Sequence, residues 1–210
     1  MKEAFVIIVL VASAQIPAQA DVLNFDGDIC AVNADGSGGM VVCADFRAIN
    51  QSYGDSAMVD VVYSYQTTNP ISMQFWSNDY SGMQRVAFGG LDPSISLLAT
   101  SGNVVSLNSF DVGAWPNADR STQVTVIDLA DNSTVLTTGP ITVLGSTPTS
   151  YAFSSQSSAV GFKISFGPDG YNVGIDNLNF STSPIPEPAT GALLLVGLAA
   201  LGWRKVSRRV

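Results

Sequence analysis

The chain has 210 residues, of which 46% are apolar and 12% charged, and it contains no histidine. It is too apolar for a disordered protein and long enough for one domain with a hydrophobic core. A net charge of −8 argues against nucleic-acid binding, which needs clustered basic residues. The absence of histidine excludes Ser-His-Asp and Cys-His catalysis and every histidine-ligated metal site.

Residues 1–20 have the pattern of a secretory signal peptide. Lys2 supplies a basic start, an apolar run follows over 4–14, and Ala18-Gln19-Ala20 is a small-residue cleavage site. The alternative is an uncleaved membrane anchor, but the apolar run is shorter than the roughly 20 residues that span a bilayer. We therefore expect an exported protein whose mature chain begins at Asp21.

Residues 182–210 combine three features in a fixed order. Pro186-Glu187-Pro188 lies in a proline-rich stalk, the apolar run 191–203 follows, and a basic tail from Arg204 closes the chain. Prolines keep a chain extended, and a basic cluster stays on the cytoplasmic side of a membrane. The pattern predicts a stalk, a transmembrane helix and a cytoplasmic tail, with the preceding domain outside the membrane.

These three features resemble a PEP-CTERM sorting signal, with Pro186, Glu187 and Pro188 as the sorting motif. The resemblance implies a Gram-negative exported protein that is anchored in the inner membrane through 191–203 before an exosortase-type enzyme processes it near the motif. It also implies an association with exopolysaccharide and a mature domain that is extracellular or bound to the cell surface. A permanent single-span anchor is the alternative, with the same topology but no processing.

Residues 21–181 form the predicted working domain, and all 15 of its acidic residues are aspartates. Its formal charge is −11, because only four basic residues remain: Arg47, Arg85, Arg120 and Lys163. The exported part is therefore more acidic than the whole chain.

The working domain has a β pattern throughout. Segments 59–65 and 123–129 alternate apolar and polar residues, which is typical of half-buried strands. Clusters of Gly, Asn, Asp and Pro separate many short strands, so we predict a single all-β domain, a β-sandwich or jelly roll. Further candidate strands are 40–46, 71–76, 95–99 and 141–144.

The end of the domain has a detailed pattern. Residues 160–166 indicate a strand, 167–170 a tight turn, and 171–180 the strand that returns beside it. The apolar phase of 171–180 changes at Asp176-Asn177, and a β-bulge there places the apolar residues on both sides of it in the core. A strand buried on both faces is the alternative.

Two segments resemble the galactose-binding-like jelly rolls of exported bacterial proteins. Residues 174–180 are similar to the closing strand of these domains, and 107–115 to a middle strand. Such domains often hold a structural calcium near their first and last strands, so the resemblance implies Asp26 and Asp176 as ligands. Calcium prefers six to eight oxygen ligands. The alternative is that these aspartates are solvated turn residues.

Cys30 and Cys43 are the only cysteines, and they bound a glycine-rich loop. In an exported protein such a pair predicts a disulfide, which stabilises the fold by about 3 kcal/mol in the chain-entropy model. A reactive thiol or a metal site is the alternative, but further cysteine or histidine ligands are missing.

Three classes of function remain open. The first is a non-enzymatic matrix or surface protein that binds extracellular polysaccharide through Trp76, Tyr80, Trp115 or Tyr53, although aromatic residues are also common in cores. The second is a purely structural matrix or coat protein whose acidic face is bridged by calcium. The third is a polysaccharide-active enzyme, which needs two carboxyl groups with different pKa values. No aspartate lies in a catalytic motif, so no catalytic residue is predicted.

Overall fold

The structure is a computed structural model that describes residues 19–66 and 71–185. Strands account for the regular structure of these ranges, as the alternating sequence pattern predicts. The strands are β1 (Gln19–Leu23), β2 (Cys30–Ala31), β3 (Met40–Val41), β4 (Val59–Ser64), β5 (Gln74–Trp76), β6 (Val86–Phe88), β7 (Ser94–Ala99), β8 (Asn103–Ala114), β9 (Arg120–Asp128), β10 (Ser133–Thr137), β11 (Ile141–Val143), β12 (Thr149–Ser158), β13 (Gly161–Gly167) and β14 (Val173–Pro184).

The strands form two sheets that pack as a sandwich. The first sheet has the order β12-β8-β14-β6-β5, with β1 also paired to β14. The second has the order β10-β9-β13-β7-β4, with β11 also paired to β9, and β2 pairs with β3 separately. The predicted all-β sandwich is confirmed.

One hydrophobic core lies between the sheets. In β4, Val59, Val61 and Tyr63 are buried, whereas Asp60 and Val62 are exposed, because successive side chains of a strand point to opposite faces. Each sheet contributes its inward-facing side chains to the core, including Phe162, Ile164 and Phe166 from β13 and Val173, Ile175, Leu178 and Phe180 from β14.

The predicted bulge near the end of the domain is confirmed. The register of β14 against β8 shifts between Asp176 and Asn179, and Asn177 has a φ of 51°. The shift turns Leu178 and Phe180 toward the same core as Ile175. Asp176 is not a member of that core, although it is only 6% exposed.

The prediction that 171–180 returns beside 160–166 is wrong. β13 pairs with β7 and β9 in the second sheet, whereas β14 pairs with β1, β6 and β8 in the first. The connecting turn crosses from one sheet to the other, so the apolar residues of both strands meet across the core rather than side by side. The alternation of apolar and polar residues is the same whether the two strands pair in one sheet or lie in opposite sheets. The sequence pattern therefore does not distinguish the two arrangements.

The Cys30–Cys43 disulfide is confirmed, with the two Cα atoms 5.1 Å apart. It closes the loop that joins β2 and β3. The candidate strand 40–46 is regular only over Met40–Val41, since the chain turns toward the bridge after two residues.

The ends of the sandwich differ from the predicted boundaries. β1 begins at Gln19, and β14 continues to Pro184, so 182–184 belong to the sheet rather than to the stalk. The sorting motif at 186–188, the apolar run 191–203 and most of the predicted signal peptide lie outside the described residues. Within the described ranges, no helix is long and apolar enough to cross a membrane.

Candidate functional site: an aromatic patch on the first sheet

Five aromatic side chains meet on the outer face of the first sheet. Trp76 ends β5 and Phe88 ends β6, while their neighbours Phe75 and Ala87 point into the main core. The other members come from outside the strands: Phe46 after β3, Trp115 after β8 and Tyr171 before β14. We call Phe46, Trp76, Phe88, Trp115 and Tyr171 the aromatic patch.

Trp76 is the centre of the aromatic patch. Its ring is in edge-to-face contact with Phe46 at 4.8 Å, with Trp115 at 5.6 Å and with Phe88 at 6.2 Å between centroids. These are favourable arrangements of aromatic pairs. The indole Nε1 of Trp76 is buried and has no hydrogen-bond partner in the described structure.

Two members of the aromatic patch are open to solvent. Phe46 is 48% exposed and Tyr171 is 42% exposed, and their rings lie 27° from parallel with centroids 6.4 Å apart. The hollow among the rings has a volume of only about 10 Å³, which is room for about one water molecule. The patch is thus a surface that a flat apolar face can cover, not a pocket that encloses a ligand.

A loop over residues 77–85 packs beneath the aromatic patch. Two glycines that pair with each other in the first sheet leave room for this loop. Gly113 in β8 lies opposite Gly174 in β14. A Cβ atom at Gly113 would lie 2.5 Å from the carbonyl oxygen of Tyr80. Tyr80 is 2% exposed, and its hydroxyl donates a hydrogen bond to the Tyr171 carbonyl at 2.8 Å.

Hydrogen bonds fix the loop to its neighbours. The Ser81 hydroxyl donates to the Leu144 carbonyl at 2.6 Å and accepts from the Ala114 amide at 2.7 Å. Asn117 donates through its side chain to Asp79 at 3.1 Å and accepts from the Gly82 amide at 3.0 Å. The patch therefore has a rigid base with polar groups at its margin.

The backbone around the patch is strained. Five non-glycine residues there have φ values between 52° and 67°: Phe46, Asp79, Ser81, Arg85 and Asn117. A bulky residue such as Phe46 rarely adopts this conformation. Strain of this kind persists only where surrounding contacts impose it, and it clusters at functional sites.

Of the predicted sugar-contacting residues, Trp76 and Trp115 belong to the patch and are half-buried. Tyr80 lies beneath it, and burial raises the pKa of its hydroxyl. Tyr53 lies elsewhere, where its hydroxyl accepts a hydrogen bond from the Phe25 amide at 3.1 Å.

Sequence reasoning missed Phe46 and Tyr171, the most exposed rings of the patch. Both were assigned to strands, where an aromatic side chain on the buried face is the ordinary expectation. The turn residues beside Tyr171, Asp169-Gly170, were the available signal that it lies outside the strand.

The predicted calcium ligands Asp26 and Asp176 lie near one another, at the junction of the first and last strands. Asp176 is 6% exposed, and burial raises its pKa to about 7, with smaller contributions from the charges of Asp111 and Asp26. Asp111 lies directly opposite Asp176 on β8 and accepts hydrogen bonds from Ser150 and Asn177.

The structure shows other partners for these carboxylates. Asp26 forms an ion pair with Arg85, and Asp176 accepts a hydrogen bond from the Asn177 amide at 2.7 Å. Among the described residues, no group of three or more acidic, cysteine or histidine side chains is arranged to hold a metal ion. The calcium site stays a prediction.

A second hollow, with a volume of about 280 Å³, lies on the outer face of the second sheet. Its lining is about equally polar and apolar and comes from Asp92, Gln123, Thr125, Ser165, Phe166, Gly167 and Pro168. It lacks the exposed rings of the aromatic patch.

Comparison with known proteins bears mainly on the C-terminal end. One solved structure similar to the chain is a mutant of CBM29-2, a family 29 carbohydrate-binding module, at 13% identity and a TM-score of 0.38, covering 79% of this chain and 92% of that one. No curated protein matches the chain. Residues 184–209 match the PEP-CTERM protein-sorting motif, as the sequence predicts, so the chain carries this sorting motif from the last residue of β14 onward.

Proposed function

We propose that the protein is an exported, non-enzymatic component of the cell surface or extracellular matrix that binds polysaccharide through the aromatic patch. The sorting motif at 184–209 supports export and the processing of a membrane-anchored precursor by an exosortase-type enzyme. The observation that carries the binding proposal is the pair of exposed rings, Phe46 and Tyr171, above the half-buried Trp76 and Trp115.

The chemistry of the patch suits a sugar. The apolar face of a pyranose ring can cover an aromatic ring, while its hydroxyl groups need hydrogen-bond partners at the margin. Asp45, next to Phe46, and Asn117, after Trp115, are exposed polar residues at that margin. The indole Nε1 of Trp76 has no hydrogen-bond partner in the described structure, so it is a further donor for a sugar hydroxyl that reaches it.

A polysaccharide-active enzyme is the second candidate, because the raised pKa of Asp176 beside Asp111 is a pattern found in catalytic carboxyl pairs. Neither hollow described above includes these residues. We therefore assign the pair to the fold rather than to catalysis. Loss of a measured polysaccharide-degrading activity in Asp176→Asn would reverse this assignment.

The binding proposal is tested with the exported protein and a panel of immobilised neutral, acidic and amino-sugar polysaccharides. We expect Phe46→Ala and Tyr171→Ala each to weaken binding about tenfold, since each removes a ring worth about 1–1.5 kcal/mol. Val42→Ala, an exposed residue outside the patch, is the control and leaves binding unchanged. Failure of every polysaccharide to bind the wild type would reject the proposal in favour of a purely structural matrix protein.

A further inference from the structure

The end of β14 is the point at which the folded domain meets the sorting motif. Pro184 is both the last residue of β14 and the first residue of the match to the motif. Two residues further along the chain is Pro186, a distance of at most about 7 Å in extended chain. An enzyme that cleaves the chain near the motif must therefore bind close to the end of β14.

At Ser181 and Thr182, β14 is paired on both of its edges. On one edge, β14 pairs with β8, where Ser181 lies opposite Ser106. On the other edge it pairs with β1, where Ser181 lies opposite Ala20 and Thr182 lies opposite Gln19.

Removal of the signal peptide uncovers one of these edges. Cleavage after Ala20 takes away Gln19 and Ala20, so the first remaining pair is Asp21 with Phe180. The backbone of Ser181 and Thr182 then keeps β8 on one side and has an open edge on the other. Open strand edges bind extended chain segments through backbone hydrogen bonds.

A second observation at the same place points to a partner. Thr182 is 1% exposed, and its Oγ1 has no hydrogen-bond partner in the described part of the chain. A buried polar atom without a partner is unfavourable and uncommon in native structures. The residue opposite Thr182 is Gln19, which leaves with the signal peptide, so a segment that takes its place comes next to this hydroxyl.

We infer that the edge of β14 at Ser181 and Thr182 is the docking edge for the enzyme that processes the sorting motif, and that loss of Gln19 and Ala20 exposes it. The inference rests on the proposed processing of the precursor. The enzyme adds an extended segment to this edge and so holds the motif, which begins at the end of the same strand. Removal of the signal peptide therefore precedes processing at the C-terminal end.

The test uses the full-length chain in an exosortase-competent Gram-negative host, with pulse labelling and intact mass to follow both cleavages. One variant carries an extra Gln-Val inserted after Ala20, which adds no further Ala-x-Ala cleavage site, so the mature chain keeps two residues that can pair with the β14 edge. The matched control carries Gly-Pro at the same place, because proline lacks the amide hydrogen needed for pairing. We expect the Gln-Val insertion to slow C-terminal processing about tenfold, since about two backbone hydrogen bonds must break first, and the Gly-Pro insertion to leave it unchanged.

A substitution tests the Thr182 hydroxyl separately. Thr182→Val keeps the shape of the side chain and removes the unpartnered Oγ1, so we expect a higher melting temperature together with slower processing. A merely structural role predicts the higher melting temperature alone. Equal processing rates for wild type and the Gln-Val variant would overturn the inference while leaving the proposed processing intact. A wild-type chain that is never shortened at its C-terminal end would overturn both.

Discussion

Asp176→Asn should make the protein more stable at neutral and alkaline pH, although it removes only a charge. The Asp176 carboxyl is 6% exposed, and its pKa is raised from 3.8 to about 7 by burial, with Asp111 and Asp26 adding like charge. The folded state therefore holds this proton more tightly than the unfolded state does. Stability falls as the pH rises from about 4 to 7, while the unfolded state releases the proton and the folded state keeps it.

The size of this stability change follows from the difference between the pKa of Asp176 in the unfolded state, 3.8, and in the folded state, about 7. Each pKa unit corresponds to about 1.4 kcal/mol, so ionised Asp176 costs the folded state up to about 4 kcal/mol above pH 7. Asparagine has nearly the same shape, keeps an oxygen for the Asn177 amide and carries no charge. We expect equal stability of wild type and variant near pH 4, and a variant more stable by up to about 4 kcal/mol at pH 8.

Urea unfolding at pH 4, 5.5, 7 and 8, followed by tryptophan fluorescence, measures this difference. Asp131→Asn is the control, because Asp131 is exposed and its pKa is lowered by hydrogen bonds from Ser133. It also removes one charge from the acidic domain, so it reports the general effect of net charge. A free-energy difference between Asp176→Asn and wild type that is the same at pH 4 and pH 8 would refute the reasoning.

Three further predictions concern the disulfide, the base of the patch and calcium. Cys30→Ser with Cys43→Ser should lower the free energy of unfolding by about 3 kcal/mol, and a reductant should then have no further effect on the melting temperature. Gly113→Ala should cost about 1–3 kcal/mol and weaken polysaccharide binding, because its Cβ displaces the loop above it. Gly39→Ala, which meets no atom within 4 Å, should do neither. A calcium ion at the predicted site requires that calcium raises the melting temperature of the wild type but not of Asp176→Asn, and that EDTA reverses this shift; no shift in the wild type rejects the site.

Much of the fold was predictable because it depends on the pattern of residues that are adjacent in the sequence. Alternation along β4 and β9 identifies half-buried strands, and the change of phase at Asp176-Asn177 identifies a bulge. The disulfide was predictable because only two cysteines are present in a chain with an export signal. The sorting motif is a linear pattern, so sequence alone was sufficient to identify it.

The candidate site was only partly predictable. Trp76 and Trp115 were chosen for their residue type, but Phe46 and Tyr171 were not, because exposure depends on what packs above a ring. The role of Gly113 was likewise hidden, since the loop that needs its missing side chain comes from a different part of the chain.

The sequence by itself determined the all-β class, the inward faces of strands such as β4 and β9, the disulfide and the sorting motif, because each depends on short-range periodicity, residue type or a linear pattern. Only the tertiary structure decided which strands pair. It placed β13 and β14 in different sheets and set β1 against the end of β14. The physical reason is that side-chain alternation specifies which face of a strand is buried, whereas the choice of partner depends on how two whole sheets close over one core.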